Sequence, residues 1–144
     1  MKRAFVSSLT QKKTSQLHQS MTNPPMYVSI EKYTINSEVK AVYYEIEIGF
    51  QYNSEVRIYN SSKRYSELLE LEKIMKPILK SFSNCPKFPP KKYFNNFEKA
   101  FLEERTRALQ AFLGFLCQIS SLLELTPFTE FFKIPAELIT DDPK

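Results

Sequence analysis

Beyond residue 25 the chain changes from a polar, weakly patterned stretch to apolar residues that recur at every second position. In "MYVSIEKYTI", Val28 and Ile30 share one face, and the alternation then slips to Tyr33 and Ile35. That slip predicts a strand carrying a bulge. "AVYYEIEIGF" alternates without a break, with Val42, Tyr44, Ile46, Ile48 and Phe50 facing one way and Glu45 and Glu47 on the wet side. "EVRIYN" comes after the turn-prone Asn53-Ser54 and points Val56 and Ile58 inward. Three sequential strands with short polar links predict an antiparallel meander, apolar on one side.

The period then lengthens to that of a helix. Leu68, Leu71, Met75 and Ile78 recur at helical spacing behind Ser66, which serves as the expected N-cap. Pro77 should kink or end this helix, because its ring clashes with the carbonyl four residues back. "CPKFPPKKYF" has prolines at positions 86, 89 and 90 and reads as a stiff, partly extended loop. "FEKAFLEERTRALQAFLGFLCQIS" is a long helix whose stripe is Leu102, Leu109, Phe112, Leu113 and Leu116. Pro127 opens a last short helix, "FTEFF". The predicted class is α+β, a three-stranded antiparallel meander packed against three to four helices, with a proline-rich loop. Residues 1–25 are expected to be a flexible tail, 26–134 a single domain and 135–144 an extension. A mitochondrial presequence is the other reading of the acid-free first 25 residues, but Phe5, Val6, Leu9 and Leu17 make only a thin apolar stripe.

Composition narrows the function. The 144 residues are 42% hydrophobic and 14% aromatic, enough for one packed core. Twenty basic residues face 16 acidic ones, and four of the basic residues (Lys2, Arg3, Lys12 and Lys13) lie in the first 25. The remainder is therefore balanced at 16 and 16, a poor match for nucleic acid, which is bound by neutralising many phosphates at once. Any anion must be met by a local cluster. Gly49 and Gly114 are the only glycines, so no glycine-rich phosphate loop can be built. His18 is the sole histidine, and Cys85 and Cys117 lack metal-ligand spacing, which leaves no histidine triad, metal site or disulfide framework. No apolar run reaches the roughly 20 residues of a spanning helix. Neither catalytic residues nor a cofactor are expected.

Three groups of residues remain to be explained. Arg105 lies three positions after Leu102 and four before Leu109, which puts it on the buried stripe; Arg107 is turned about 200° away. A guanidinium there must snorkel, pair with a carboxylate such as Glu98, or meet an external anion. Lys63, Arg64 and Tyr65 sit where strand passes to helix. A helix N-terminus and a guanidinium together suit a phosphate, and Tyr65 offers a flat wall with its hydroxyl in water; a solvated Lys-Arg pair is the plainer reading. Lys91 and Lys92 precede Tyr93 and Phe94 on the proline loop, an arrangement suited either to an interfacial anchor or to aromatics folded back on the core.

In this order, three strands, "KRYSEL", a helix, "FPPK" and "FLEERTRALQAFL", the sequence resembles a PX (phox-homology) domain of the sorting nexin type, from about Met26 to Phe132. The resemblance implies a pocket for phosphatidylinositol 3-phosphate. The family's R-[YF]-S motif falls on Arg64, Tyr65 and Ser66, which makes Arg64 the 3-phosphate ligand and places Tyr65 against the inositol ring. Lys91 takes the 1-phosphate, with Lys92 as fallback, and Arg105 the 4- and 5-hydroxyls. Tyr93 and Phe94 match the part that enters the bilayer. Lys63 stands where many members have arginine and is a further candidate, and Lys92 leaves room for a more highly phosphorylated headgroup. The function so implied is recruitment from the cytoplasm to endosomal or vacuolar/lysosomal membranes. The alternative is a module of the same fold that binds protein partners and little or no lipid.

Overall fold

The computed structural model describes residues 2–140. In chain order its elements are strand β1 (Lys2–Phe5), a 3-10 turn, helix α1 (Gln11–Gln19), strands β2 (Met26–Asn36), β3 (Ala41–Tyr52) and β4 (Glu55–Arg64), helices α2 (Tyr65–Leu79) and α3 (Lys99–Leu116), a second 3-10 turn, and the short helices α4 (Thr126–Phe132) and α5 (Ala136–Ile139). The class is α+β, as the two periodicities predict. Strands β2, β3 and β4 form the expected meander, and the β2–β3 register shifts between Ile30 and Lys32, where the alternation slips.

The front face of the sheet holds the main core. Met26, Val28, Ile30, Tyr44, Ile46, Ile48 and Phe50 pack there against Leu68, Leu71 and Met75 of α2 and Leu109, Phe112, Leu113 and Leu116 of the predicted α3 stripe. Pro77 lies in the last turn of α2, which ends two residues later, in keeping with the ring's clash with the preceding turn. In α4, Phe128 and Phe132 turn inward, and Leu138 of α5 is buried as well, so helical packing continues past residue 134. The prolines at 86, 89 and 90 lie in a stretch without regular structure, as expected.

The sheet has four strands rather than three, and the first 25 residues supply the fourth. Strand β1 pairs antiparallel with β4, Lys2 opposite Ile58 and Phe5 opposite Glu55, giving the order β1-β4-β3-β2. The reason is a phase difference between strands. Ile58 pairs with Gly49 and Val56 with Gln51, so these two apolar side chains share the face opposite Ile48 and Phe50. Val56 and Ile58 therefore point to the back of the sheet, where they cluster with Tyr27 and Leu17 and against Ala4, Val6 and Leu9. A segment with one buried helical residue and a four-residue strand carries almost no periodic signal, which is why it reads as a tail.

Polar contacts fasten this cover. Glu47, expected on the wet face, is only 12% exposed at its side chain. Its carboxylate accepts from the Lys13 ammonium at 2.8 Å and the Tyr27 hydroxyl at 2.5 Å. Burial pushes the Glu47 pKa up, but these two donors outweigh it and hold the carboxyl below its ordinary value. Along the outer edge of β2, Val28 N–H donates to Gln16 Oε1 at 3.0 Å. Gln110 donates to Val28 O at 2.8 Å and accepts from Ile30 N–H at 2.7 Å. Two glutamines thus stand in for a missing neighbouring strand.

Gly49 is fixed by the same packing, since a Cβ there would run into the Tyr27 ring. Gly49→Ala is expected to force Tyr27 out of its place and cost about 2 kcal/mol or more, lowering Tm by several degrees. Thermal unfolding monitored by circular dichroism checks this, and an unchanged Tm would show that the ring moves aside freely.

Candidate functional site

The site is built where β4 hands over to α2. Strand β4 ends at Arg64, which is the N-cap of α2, so the cap lies two residues before the expected Ser66. A side-chain acceptor on Ser66 is unnecessary because Glu67, in the first turn, reaches back and accepts from Arg64 N–H at 2.9 Å. The Arg64 guanidinium is left over: it donates to no acceptor and makes no ion pair among the described residues. It sits at the helix N-terminus, where positive charge is disfavoured unless an anion joins it.

Arg105 is 9% exposed, on the stripe as its spacing predicts, while Arg107 is exposed. Glu98 is not its partner, because that carboxylate lies 3.5 Å from Lys92 Nζ. Instead the guanidinium stacks 3.7 Å from the centroid of Tyr65 and 4.5 Å from that of Phe101, and Nη2 donates to Pro90 O at 2.8 Å. Burial pulls its pKa below the ordinary arginine value, with the Tyr44 and Tyr65 oxygens acting in the opposite sense. The hydroxyl of Tyr65 is not in water: it donates to Pro89 O at 2.6 Å. Arg105 and Tyr65 together tether two successive carbonyls of the proline loop, and a face of Tyr65 expected to meet a sugar carries the guanidinium.

A cavity of about 270 Å³ opens beside these groups. Arg64, Tyr65 and Ser66 line it from the β4–α2 junction, Lys91, Lys92 and Tyr93 from the proline loop, and Leu102 and Arg105 from α3. Two residues in the expected set fall outside the lining. Lys63 packs its ammonium 4.5 Å from the centroid of Phe131, and Phe94 projects from the loop. Lys92 lines the cavity but is engaged, by Glu98 and by the face of Phe101 at 4.1 Å. Lys91 has no partner of either kind among the described residues. Tyr93 and Phe94 are 78% and 79% exposed, so the loop aromatics are not folded onto the core, and Phe97 is exposed next to them.

The sequence gives no sign of Lys40, Tyr44 or Asn96, which also line the cavity. Lys40 is a turn lysine and Asn96 a loop asparagine, and neither lies in a motif. Tyr44 belongs to the core stripe, but its buried hydroxyl lies near the Arg105 guanidinium without a hydrogen bond of good geometry, and Asn96 Oδ1 and Arg105 Nε are likewise buried without one. Burial pushes the Tyr44 pKa up to about 12, so it stays a neutral hydroxyl. These are the only such side-chain atoms among the described residues, and all three belong to residues of this one cavity.

The fold is a small α+β domain with a cation-lined cavity at a strand-to-helix junction, and comparison gives its family. Residues 51–135, more than half of the chain, match the family model of the PX domain. The chain belongs to the PX domain family, a family of phosphoinositide-binding modules that are generally not enzymes. Among solved structures it is similar to a designed CISK PX domain, with TM-score 0.60 and 21% identity over 74% of this chain and 97% of that one. It is also similar to the mouse SNX19 PX domain crystallised with a bound sulphate ion, with TM-score 0.59 and 22% identity over 76% and 97%. No curated protein sequence matches the chain significantly. Residues 2–50, which include β1, α1, β2 and most of β3, lie outside the span that the family model matches. Among the described residues no helix is long and apolar enough to cross a membrane.

Proposed function

We propose that this PX domain recruits its protein to membranes carrying phosphatidylinositol 3-phosphate, on the cytoplasmic face of endosomal or vacuolar/lysosomal compartments. One observation carries the reading. Five cations, Lys40, Arg64, Lys91, Lys92 and Arg105, line a single cavity that has no carboxylate in its walls. Of the five, only Lys92 has a carboxylate partner among the described residues. Cations gathered without counter-charge repel one another, so the arrangement is favourable only when an anion joins it.

Arg64, at the N-terminus of α2, takes the 3-phosphate, where helix dipole and guanidinium act together. Lys91 takes the 1-phosphate on the bilayer side. Arg105 meets the ring hydroxyls, and Tyr65 contributes chiefly by holding Arg105 flat. Tyr93 and Phe94 enter the acyl boundary, each contributing up to about 2 kcal/mol. Headgroup and insertion are each weak alone, so attachment is reversible and needs both.

The test is sedimentation with phosphatidylcholine/phosphatidylserine vesicles, with and without phosphatidylinositol 3-phosphate. Pelleting should depend on the phosphoinositide; equal pelleting in both would overturn the reading. The variant Phe94→Ser, at a residue outside the cavity lining, should weaken vesicle binding about tenfold while leaving affinity for soluble inositol 1,3-bisphosphate unchanged. A parallel loss of both affinities would place Phe94 in the headgroup pocket instead of the bilayer.

A further inference from the structure

We infer that Lys40 is a specificity-determining residue that binds a second ring phosphate, so that the cavity prefers a headgroup phosphorylated at position 3 and at position 4 or 5. The inference rests on the phosphoinositide reading above and extends it to the substitution of the ring.

Lys40 closes the β2–β3 turn. Asn36 Oδ1 accepts from Glu38 N–H at 3.0 Å and from Val39 N–H at 3.2 Å, which fixes the turn from within. Lys40 itself adopts φ 53°, a left-handed conformation that glycine or asparagine takes more readily than lysine. Lys133 at the end of α4 adopts the same conformation, but Lys40 alone of the two lines the cavity: Ala41, Val42 and Tyr44 of β3 form its sheet wall, and Lys40 stands beside them.

Its place relative to Arg64 separates their roles. Tyr43 pairs with Arg64 across β3 and β4, and Lys40 lies three residues beyond Tyr43. At the rise of a strand this sets Lys40 about 10 Å from the level of Arg64. Lys40 and Arg64 thus enter the cavity from different levels of its wall, so that phosphates at two positions of one inositol ring can each meet a cation of their own.

Charge points the same way. A headgroup with a 1-phosphodiester and a 3-phosphate is matched by Lys91 and by Arg64 with the helix N-terminus. Lys92, which the sequence suggests as the spare cation, already has Glu98 at 3.5 Å and the face of Phe101 beside it. Lys40 has no ion pair or hydrogen bond among the described residues, and neither neighbouring Glu38 nor any other described carboxylate engages it. It is the cation left over by a singly phosphorylated ring.

Calorimetric titration at constant ionic strength tests this with soluble inositol 1,3-bisphosphate, inositol 1,3,4-trisphosphate and inositol 1,3,5-trisphosphate. The unaltered protein should bind one trisphosphate about tenfold more tightly than the bisphosphate. Lys40→Met should erase that gain, costing the trisphosphate about tenfold more than it costs the bisphosphate, and Lys40→Arg should restore it. Equal affinity for all three ligands, or a gain that survives Lys40→Met, overturns the inference. So does a loss on Lys40→Met that appears only with phosphatidylserine vesicles, which would make Lys40 a bilayer contact. Failure to bind any of the three would instead sink the phosphoinositide reading itself.

Discussion

Arg64→Ala is expected to abolish measurable phosphoinositide binding without lowering Tm, whereas Arg105→Ala is expected to lose both. The two arginines line one cavity but are held in opposite ways. The Arg64 guanidinium donates to nothing among the described residues, and its contribution to the α2 cap is through the backbone N–H that Glu67 accepts. Removing the side chain should change stability by no more than about 0.5 kcal/mol. It should nevertheless remove a charge-assisted, bidentate phosphate contact of about 2–3 kcal/mol, a loss near 100-fold.

Arg105 is part of the packing. Its removal leaves the Pro90 carbonyl unpaired, takes a stacked cation off Tyr65 and Phe101, and opens space behind the proline loop. A cost of about 2–4 kcal/mol is expected, with Tm lower by several degrees. Arg105→Lys keeps the charge but cannot stack or reach Pro90 in the same geometry, so it should rescue neither property fully. Differential scanning fluorimetry beside headgroup titration separates these outcomes. Persistent binding in Arg64→Ala, or an Arg105→Ala protein as stable as the unaltered one, would contradict this division of labour.

Deleting residues 1–19 should unfold the domain or leave it in a loose, dye-binding state. That segment supplies β1, α1, Leu17 and Lys13, and its loss exposes Tyr27, Val56 and Ile58 on the back of the sheet. It also leaves Glu47 partly buried without its ammonium partner. Re-exposing apolar side chains at about 1.5–3 kcal/mol each approaches the whole stability of a domain, about 5–15 kcal/mol. Binding of 8-anilinonaphthalene-1-sulfonate and near-ultraviolet circular dichroism read the result. A truncated protein with native near-ultraviolet signal and an unshifted Tm would return residues 1–19 to the status of a tail.

Legibility differed by element. The long alternation of β3 and the stripe of α3 can be read from spacing because each buries one continuous face, and the bulge in β2 shows as a slip of one residue. The same spacing singles out Arg105 over Arg107. The N-terminal cover could not be read this way. Its strand is four residues long, α1 buries only Leu17, and the residues that need covering belong to β4 and β2. The inward assignment of Val56 and Ile58 fails for a related reason: alternation gives two faces to each strand but not which face matches that of the neighbouring strand.

The site divides in the same manner. Motif resemblance points to Arg64, Tyr65, Lys91 and Arg105 as ligands, whereas their partners depend on distance across the fold. That Glu98 engages Lys92 and not Arg105, that the Tyr65 hydroxyl is tied to Pro89, and that Lys40 stands at the cavity wall are all relations between separate elements.

By itself the sequence determined the periods, and therefore which residues share a face and where strand gives way to helix, because those depend on local backbone geometry alone. Only the tertiary structure decided which faces meet, that the first 25 residues close the back of the sheet, and which cations remain without a carboxylate. Those outcomes depend on registers and distances between segments far apart in the chain, which no local pattern encodes.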